Sequence, residues 1–217
     1  MILIYQMGKV GSKSVFHTLK PLVNEPIVHC HYIMNNIGNY NKATADNILS
    51  YNGKIKIITL IRDPITRNIS AYYHNMKNMI NKNDPCTIDY ISNTFYKKYN
   101  HDCPLLWLNI ELYKLTGIDV YDYPFDKEKG YQHYENDKYQ ILLITLENLN
   151  KCWTEILKFA NIDTNNRLIK QNAGNSRIHY GIPYNTVKNH IISNMSNEYV
   201  NKMKNSKYYQ HFYKKNE

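Results

Sequence analysis

Three groups of residues in this chain have the types and spacing to do chemistry on an anion. The first is Q-M-G-K-V-G-S-K-S-V-F-H-T-L at 6–19, which follows the apolar run Ile2 to Tyr5. Small residues at Gly11, Ser12 and Ser14 let backbone N–H groups converge where a helix starts, and Lys9 and Lys13 add two positive charges. The second is the pair His29 and His31 in I-V-H-C-H-Y-I at 27–33, which a strand period of two puts on one face. The third is Arg62, directly after an apolar strand, with Ser70 eight residues on in the next helix.

Each group has more than one reading. The ATP-type loop G-x-x-x-x-G-K-[ST] is not met, because Ser12 separates Gly11 from Lys13 and Met7 occupies the place of the first glycine. An ordinary strand-to-helix turn capped by Ser12 fits the same residues. The histidines suit a general base, a hydrogen-bonded strand end, or metal ligands, although no third ligand with coherent spacing is evident.

These residues need elements to position them. Ile2 to Tyr5 reads as a strand, the stretch from Ser12 to Leu19 as an amphipathic helix ended by Pro21, and 27–33 as a second strand. A short helical pattern occupies 42–52. K-I-K-I-I-T-L-I at 54–61 is the clearest strand, and its near-continuous apolar second half suits a buried parallel strand. Pro64 and Thr66 open a helix carrying Ile65, Ile69, Tyr72, Tyr73 and Met76 at helical spacing. Arg62 then sits at the carboxyl end of a strand, where open α/β sheets bind ligands.

Further along, 77–103 is polar and weakly periodic and reads as a mobile insertion or substrate loop. A helix is expected over 105–115 with Trp107 in the core, a short strand at 118–121, and a surface excursion at 124–137. A strong strand follows at 139–146 and a helix at 147–160. Residues 161–183 read as loop, with one or two Lys- and Tyr-rich amphipathic helices after that. The pattern predicts an α/β protein with a central parallel sheet flanked by helices, as a single domain over 1–217.

At 217 residues and 43% hydrophobic composition the chain is long enough to bury a sizeable core. A net charge of +9 points to an anionic partner such as a nucleotide, acidic glycan, nucleic acid or membrane surface. No apolar run has the roughly 18–20 residues needed to span a bilayer, and the start reads as a strand instead of a signal peptide. A soluble, cytoplasmic protein is expected. Cys30, Cys86, Cys103 and Cys152 are widely spaced without C-x-x-C, so reduced thiols are the default, with a Cys86–Cys103 bridge possible only if the chain is exported.

Taken in order, K-V-G-S-K-S at 9–14, H-C-H at 29–31 and R-D-P-I-T-R-N-I-S-A-Y-Y at 62–73 resemble the PAPS-dependent sulfotransferases, in particular the carbohydrate branch of heparan and uronyl 2-O-sulfotransferases. L-L-W-L-N-I-E-L, G-I-D-V-Y and P-F-D between Leu105 and Asp126 are similar to the microbial sulfotransferase-like family of capsular polysaccharide synthesis proteins. The resemblance implies the P-loop-NTPase-like sulfotransferase fold, PAPS as donor with PAP as product, no metal, and a glycan or other hydroxyl-bearing acceptor. It also implies that Lys9, Gly11, Ser12, Lys13 and Ser14 hold the 5′-phosphosulfate, that Arg62 and Ser70 hold the 3′-phosphate, and that His31, helped or replaced by His29, is the catalytic base. The basic 3′-phosphate loop of that family has no clear counterpart near the C-terminus; Lys170 and Arg177 are candidates by position.

Two rival classes fit parts of the chain. A P-loop kinase shares the strand-loop-helix and would use Asp63 for Mg²⁺, but its loop register is wrong. A nucleic-acid-binding module would use the Lys- and Tyr-rich segment 188–215. The lysines there alternate with apolar helical positions, as on a solvated helix face, and no nucleic-acid partner is expected.

Overall fold

A computed structural model describes residues 1–38, 40–81, 83–169 and 178–214. Apolar residues on both faces decide which strands are central. β1 (Ile2–Tyr5), β3 (Ile55–Ile61) and β5 (Tyr139–Thr145) are almost wholly buried, as parallel strands covered by helices on both sides must be. The sheet order is β2-β1-β3-β5-β4, with β2 (Ile27–Cys30) at one edge. The first four are mutually parallel, and β4 (Tyr131–Glu135) closes the other edge antiparallel to β5. The protein is therefore a mixed α/β structure with a mostly parallel central sheet.

α1 (Ser12–Leu19), α2 (Lys42–Leu49) and α7 (Trp153–Phe159) bury Val15, Leu19, Ala45, Ile48, Ile156 and Leu157 in the core that includes the sheet. α3 (Pro64–Asn75) starts at an Asp63 cap that accepts from Thr66 N at 2.8 Å. Ile69, Tyr72 and Tyr73 of α3, with Met76 just after it, form a second apolar cluster with α4 (Ile88–Lys98), α8 (Tyr184–Ser193) and α9 (Asn197–Lys204). α5 (Cys103–Trp107) runs through a π-helical turn (Leu108–Tyr113) into α6 (Lys114–Thr116), which ends at Gly117 with φ 73°. α10 (Lys207–Phe212) returns Tyr208 and Phe212 to the main core, and β6 (Ile178–His179) and β7 (Ile182–Pro183) make a two-stranded hairpin.

Several expectations are corrected. The expected loop 77–103 contains α4, whose Thr87 cap accepts from Tyr90 N and whose Ile91 and Phe95 face the second cluster instead of the sheet. The excursion 124–137 contains the edge strand β4. Residues 118–121 form a turn, because the Asp119 side chain accepts from Tyr121 N, and the helix expected over 147–160 begins at Trp153. β2 stops at Cys30 and not at Ile33, since the Ile33 and Met34 amides donate to the Glu111 carboxylate instead of a neighbouring strand. All four cysteines are free thiols. Among the described residues, no helix is long and apolar enough to cross a membrane.

Candidate active site

The loop after β1 is shaped by two left-handed residues, Lys9 at φ 74° and Gly11 at φ 84°. Glycine adopts that conformation freely, whereas a lysine there costs local strain that the surroundings must offset. Two arginines supply the restraint. Arg62 Nη1 donates to the Lys9 carbonyl at 3.2 Å, and Arg67 Nε donates to the Gly8 carbonyl at 3.0 Å. The loop and the β3–α3 junction, far apart in sequence, are thus hydrogen-bonded to each other.

Arg62 is held in turn. Its Nε donates to Thr66 Oγ1 at 3.2 Å, while the buried Tyr208 hydroxyl donates to its carbonyl at 2.8 Å and accepts from its amide at 3.2 Å. Ser70, half-buried, lies one helical turn beyond Thr66. Asp63 is engaged in capping α3, the use a helix start ordinarily makes of it.

α1 begins without acidic residues in its first turn and without a side-chain cap. Ser12 does not cap; its hydroxyl lies 2.9 Å from His29 Nε2. The first N–H groups of the helix and the partial positive charge of its dipole are therefore aimed at the loop, where an anion would be favoured.

His29 and His31 face the same cleft with ring centroids 5.1 Å apart. His31 Nδ1 lies 2.8 Å from the Gln6 carbonyl, which can only accept, and 3.2 Å from Gln6 Nε2, which can only donate; the shorter contact assigns the proton to Nδ1. That tautomer leaves Nε2 with a lone pair close to Gly8, where an added Cβ would sit 3.8 Å from the nitrogen. His29 Nε2 is already engaged by Ser12, and Gln6 Nε2 lies 3.3 Å from it. Geometry thus equips His31 better than His29 to accept a proton from a bound molecule.

Burial pushes the pKa of both imidazoles down. The neighbouring His31, Lys13 and His17 add to it at His29, which falls to about 4. At His31 the charges of Arg67, Lys13 and Lys9 add to burial, and the bond to Gln6 opposes it. Both rings are neutral at pH 7. An unfolded histidine titrates near 6.5. Between that value and about 4 the unfolded chain therefore binds a proton that native His29 refuses, and stability falls as pH drops through this window. Thermal unfolding measured from pH 7 to 4 is expected to show that decline, and His29→Gln, which removes one of the titrating rings, is expected to make it shallower, with His31 still contributing in the same direction.

A cleft of about 220 Å³ beside the histidines is lined by Lys13, Cys30, Tyr32, Asn41 and Thr44. Lys13 therefore faces the histidine cleft as well as the start of α1. A larger cleft of about 650 Å³ lies among Lys56, His133, Gln140, Lys158 and Phe159. Lys56 and Gln140 stand at the amino ends of β3 and β5, the end of the sheet opposite to Lys9 and Arg62, so the smaller cleft is the one at the carboxyl ends of the strands.

Arg67 carries no expectation from the sequence, yet it is 4% exposed and central. Besides Gly8 its partners are Asn68 Oδ1, the Tyr99 hydroxyl and Cys103 Sγ, none of them a carboxylate. Its position three residues before Ser70, one turn away on α3, is the available signal. Arg67→Met is expected to leave the Gly8 carbonyl and Asn68 without their donor and to cost about 2–4 kcal/mol in urea unfolding. Gln6, Trp107 and Glu111 are likewise first identified by their contacts.

The structure brings Lys9, Gly11, Ser12, Lys13, Ser14, His29, His31 and Arg62 to one end of the sheet, with Ser70 a turn behind Thr66. Lys170 and Arg177 lie outside the described residues. No group of three or more His, Cys, Asp or Glu side chains is placed to hold a metal among the described residues. In the tail proposed for nucleic acid, Tyr199, Tyr208 and Phe212 are buried, while Lys202 and Lys207 pair with Asp102 and Asp119.

Comparison with known proteins finds no matching curated protein. The crystal structure of mouse sulfotransferase SULT7A1 complexed with PAP is similar at a TM-score of 0.38 and 17% identity, over 76% of this chain and 59% of that one. The chain thus spans less than two thirds of that protein. Residues 75–214, more than half of the chain, match the NKWYS family, whose description reads "Putative capsular polysaccharide synthesis protein". That match begins beyond Lys9, His31, Arg62 and Ser70 and takes in α4 through α10. The protein belongs to the NKWYS family.

Proposed function

We propose that the protein transfers a sulfuryl group from PAPS to a hydroxyl of a carbohydrate acceptor. One observation carries the reading: the Lys9 loop is tied to Arg62 at 3.2 Å, while the unprotonated nitrogen of His31 faces the same loop at Gly8. An anion cradle, a second cationic group and a neutral base therefore converge on one space. The chain acts as one domain in this reading.

The donor is a substrate with phosphates at both ends of its adenosine. Backbone N–H groups around Gly11 to Lys13, with the Ser12 and Ser14 hydroxyls, would hold the 5′-phosphosulfate, with Arg62 and Ser70 on the 3′-phosphate. Arg177, near the C-terminus, is kept as a further 3′-phosphate candidate. His31 Nε2 takes the acceptor's hydroxyl proton as that oxygen bonds to sulfur, and the bond from sulfur to the bridging phosphate oxygen breaks. Lys9 stabilises the charge that the departing phosphate gains. His29 and Ser12 position His31 and the helix start. No metal is required, since cationic side chains and backbone N–H groups supply the neutralisation. The cleft lined by Lys13, Tyr32, Asn41 and Thr44 offers hydrogen-bonding groups suited to a sugar, and membership in a capsular polysaccharide synthesis family supports a glycan acceptor.

The reading is tested by incubating the protein with PAPS carrying radiolabelled sulfate and a panel of acidic and neutral polysaccharides, with EDTA present. Label in polymer is the expected result. The absence of transfer to any acceptor, with no thermal stabilisation by PAP, would overturn it.

A further inference from the structure

The run L-L-W-L-N-I-E-L at 105–112 carries two side chains that the proposed chemistry does not use. Trp107 and Glu111 are four residues apart, so they lie on one face of the helix that begins at α5. Glu111 stands in the π-helical turn, a distortion that often marks functional positions. It is fully buried, which is rare for a glutamate without a cationic partner.

Its carboxylate is satisfied instead by four donors from two separate segments. Oε2 accepts a short hydrogen bond from the Tyr5 hydroxyl, together with the Ile33 amide at 2.9 Å and the Met34 amide at 3.0 Å. Oε1 accepts from Asn35 Nδ2 at 2.6 Å, and that amide also donates to the Ile110 carbonyl at 2.6 Å. Burial, and then the Glu111 carboxylate, push the Tyr5 phenol far up, which keeps it a donor. Trp107 Nε1 donates to the His31 carbonyl at 2.9 Å.

These contacts enclose one residue. Tyr5 precedes Gln6, whose carbonyl fixes the His31 tautomer; Ile33 and Met34 follow His31 by two and three positions. Glu111 therefore holds, through one carboxylate, both segments whose relative placement sets the 2.8 Å bond from His31 Nδ1 to Gln6. The geometry points to Glu111, assisted by Trp107, as a positioning residue that fixes the tautomer and aim of His31 from the far side of the β2 exit. Glu111 does not touch the reacting atoms.

The inference rests on the reading of His31 as the base, and its test separates the two. Glu111→Gln keeps the shape but sets an NH₂ group against amide donors, and Trp107→Phe keeps the ring packing while removing the donor to His31. In both, kcat is expected to fall about 10- to 100-fold with the PAP dissociation constant unchanged, because small misplacements of a reacting group cost that much. Nitrogen NMR of the labelled His31 ring is expected to show the Nδ1–H tautomer in the parent protein and a mixture of tautomers in Glu111→Gln. The NMR readout needs no transfer, so it decides the positioning role even if the parent protein moves no sulfate. Unchanged His31 ring signals in a folded Glu111→Gln protein would overturn the inference, whether or not kcat falls. Should Glu111→Gln fail to fold, Trp107→Phe carries the same decision through the same signals.

Discussion

Replacing His31 by alanine is expected to lower kcat by about 10²- to 10⁴-fold, the contribution of a well-placed general base, while PAP affinity stays within a few-fold of the parent. A sugar hydroxyl is a poor nucleophile until its proton has somewhere to go. His31 offers an uncharged nitrogen because its other nitrogen is committed to the Gln6 carbonyl, and because burial holds its pKa below the usual histidine value. The parent protein should therefore keep full activity from pH 8 to 7 and lose it as pH falls through the lowered value. Stopped-time assays over pH 5–8 with saturating PAPS measure that limb. His29→Ala should lose less, since His29 Nε2 is already bonded to Ser12. Equal losses in the two variants would move the base elsewhere.

Lys9→Met is the second large effect, an expected drop in kcat of about 10²- to 10³-fold, comparable with removing one preorganised group that meets developing charge. The backbone of the loop should survive the change. Arg62 and Arg67 grip the carbonyls of Lys9 and Gly8, not the lysine side chain, and methionine at φ 74° bears the same steric strain as lysine. A glycine at that position would relieve the strain but lose the charge, so Lys9→Gly should be at least as stable as the parent and equally inactive. Thermal melting alongside single-turnover transfer separates the two effects. A Lys9→Met protein with parental turnover would take lysine out of the chemistry.

Much of this site was legible because its signals are local. A strand, a loop of small residues and a helix follow from apolar period and glycine placement between Ile2 and Leu19, and Pro64 with Thr66 marks the start of α3. The H-C-H pair falls on one face as a period of two requires. What escaped detection depends on burial. Arg67 and Glu111 are charged residues in the interior, where composition rules place apolar ones, and only their partners reveal their use. β2 ends early for the same reason, since a carboxylate 78 and 77 residues further along the chain captures the amides of Ile33 and Met34. α4 was hidden because it buries few residues, against other helices and away from the sheet, and β4 because an edge strand reading Y-Q-H-Y-E carries a polar face to solvent. The family match covers the second part of the chain, whereas the motifs suggestive of chemistry occupy the first, and the two parts are joined by Tyr99 and Cys103 accepting from Arg67, Glu111 accepting from Ile33, Trp107 donating to His31 and Tyr208 donating to Arg62.

The central claim is that the Lys9 loop and Arg62 hold opposite ends of one doubly phosphorylated adenosine. Isothermal titration with PAP and with 5′-AMP, in EDTA, against the parent protein and Arg62→Ala tests it most directly. PAP should bind the parent about 10- to 100-fold more tightly than AMP, a charge-assisted pair's worth of discrimination, and Arg62→Ala should erase most of that difference, with AMP affinity falling less than PAP affinity as the bond to the Lys9 carbonyl is also lost. Equal affinities of the parent for the two nucleotides, or no binding of PAP at all, would contradict the account.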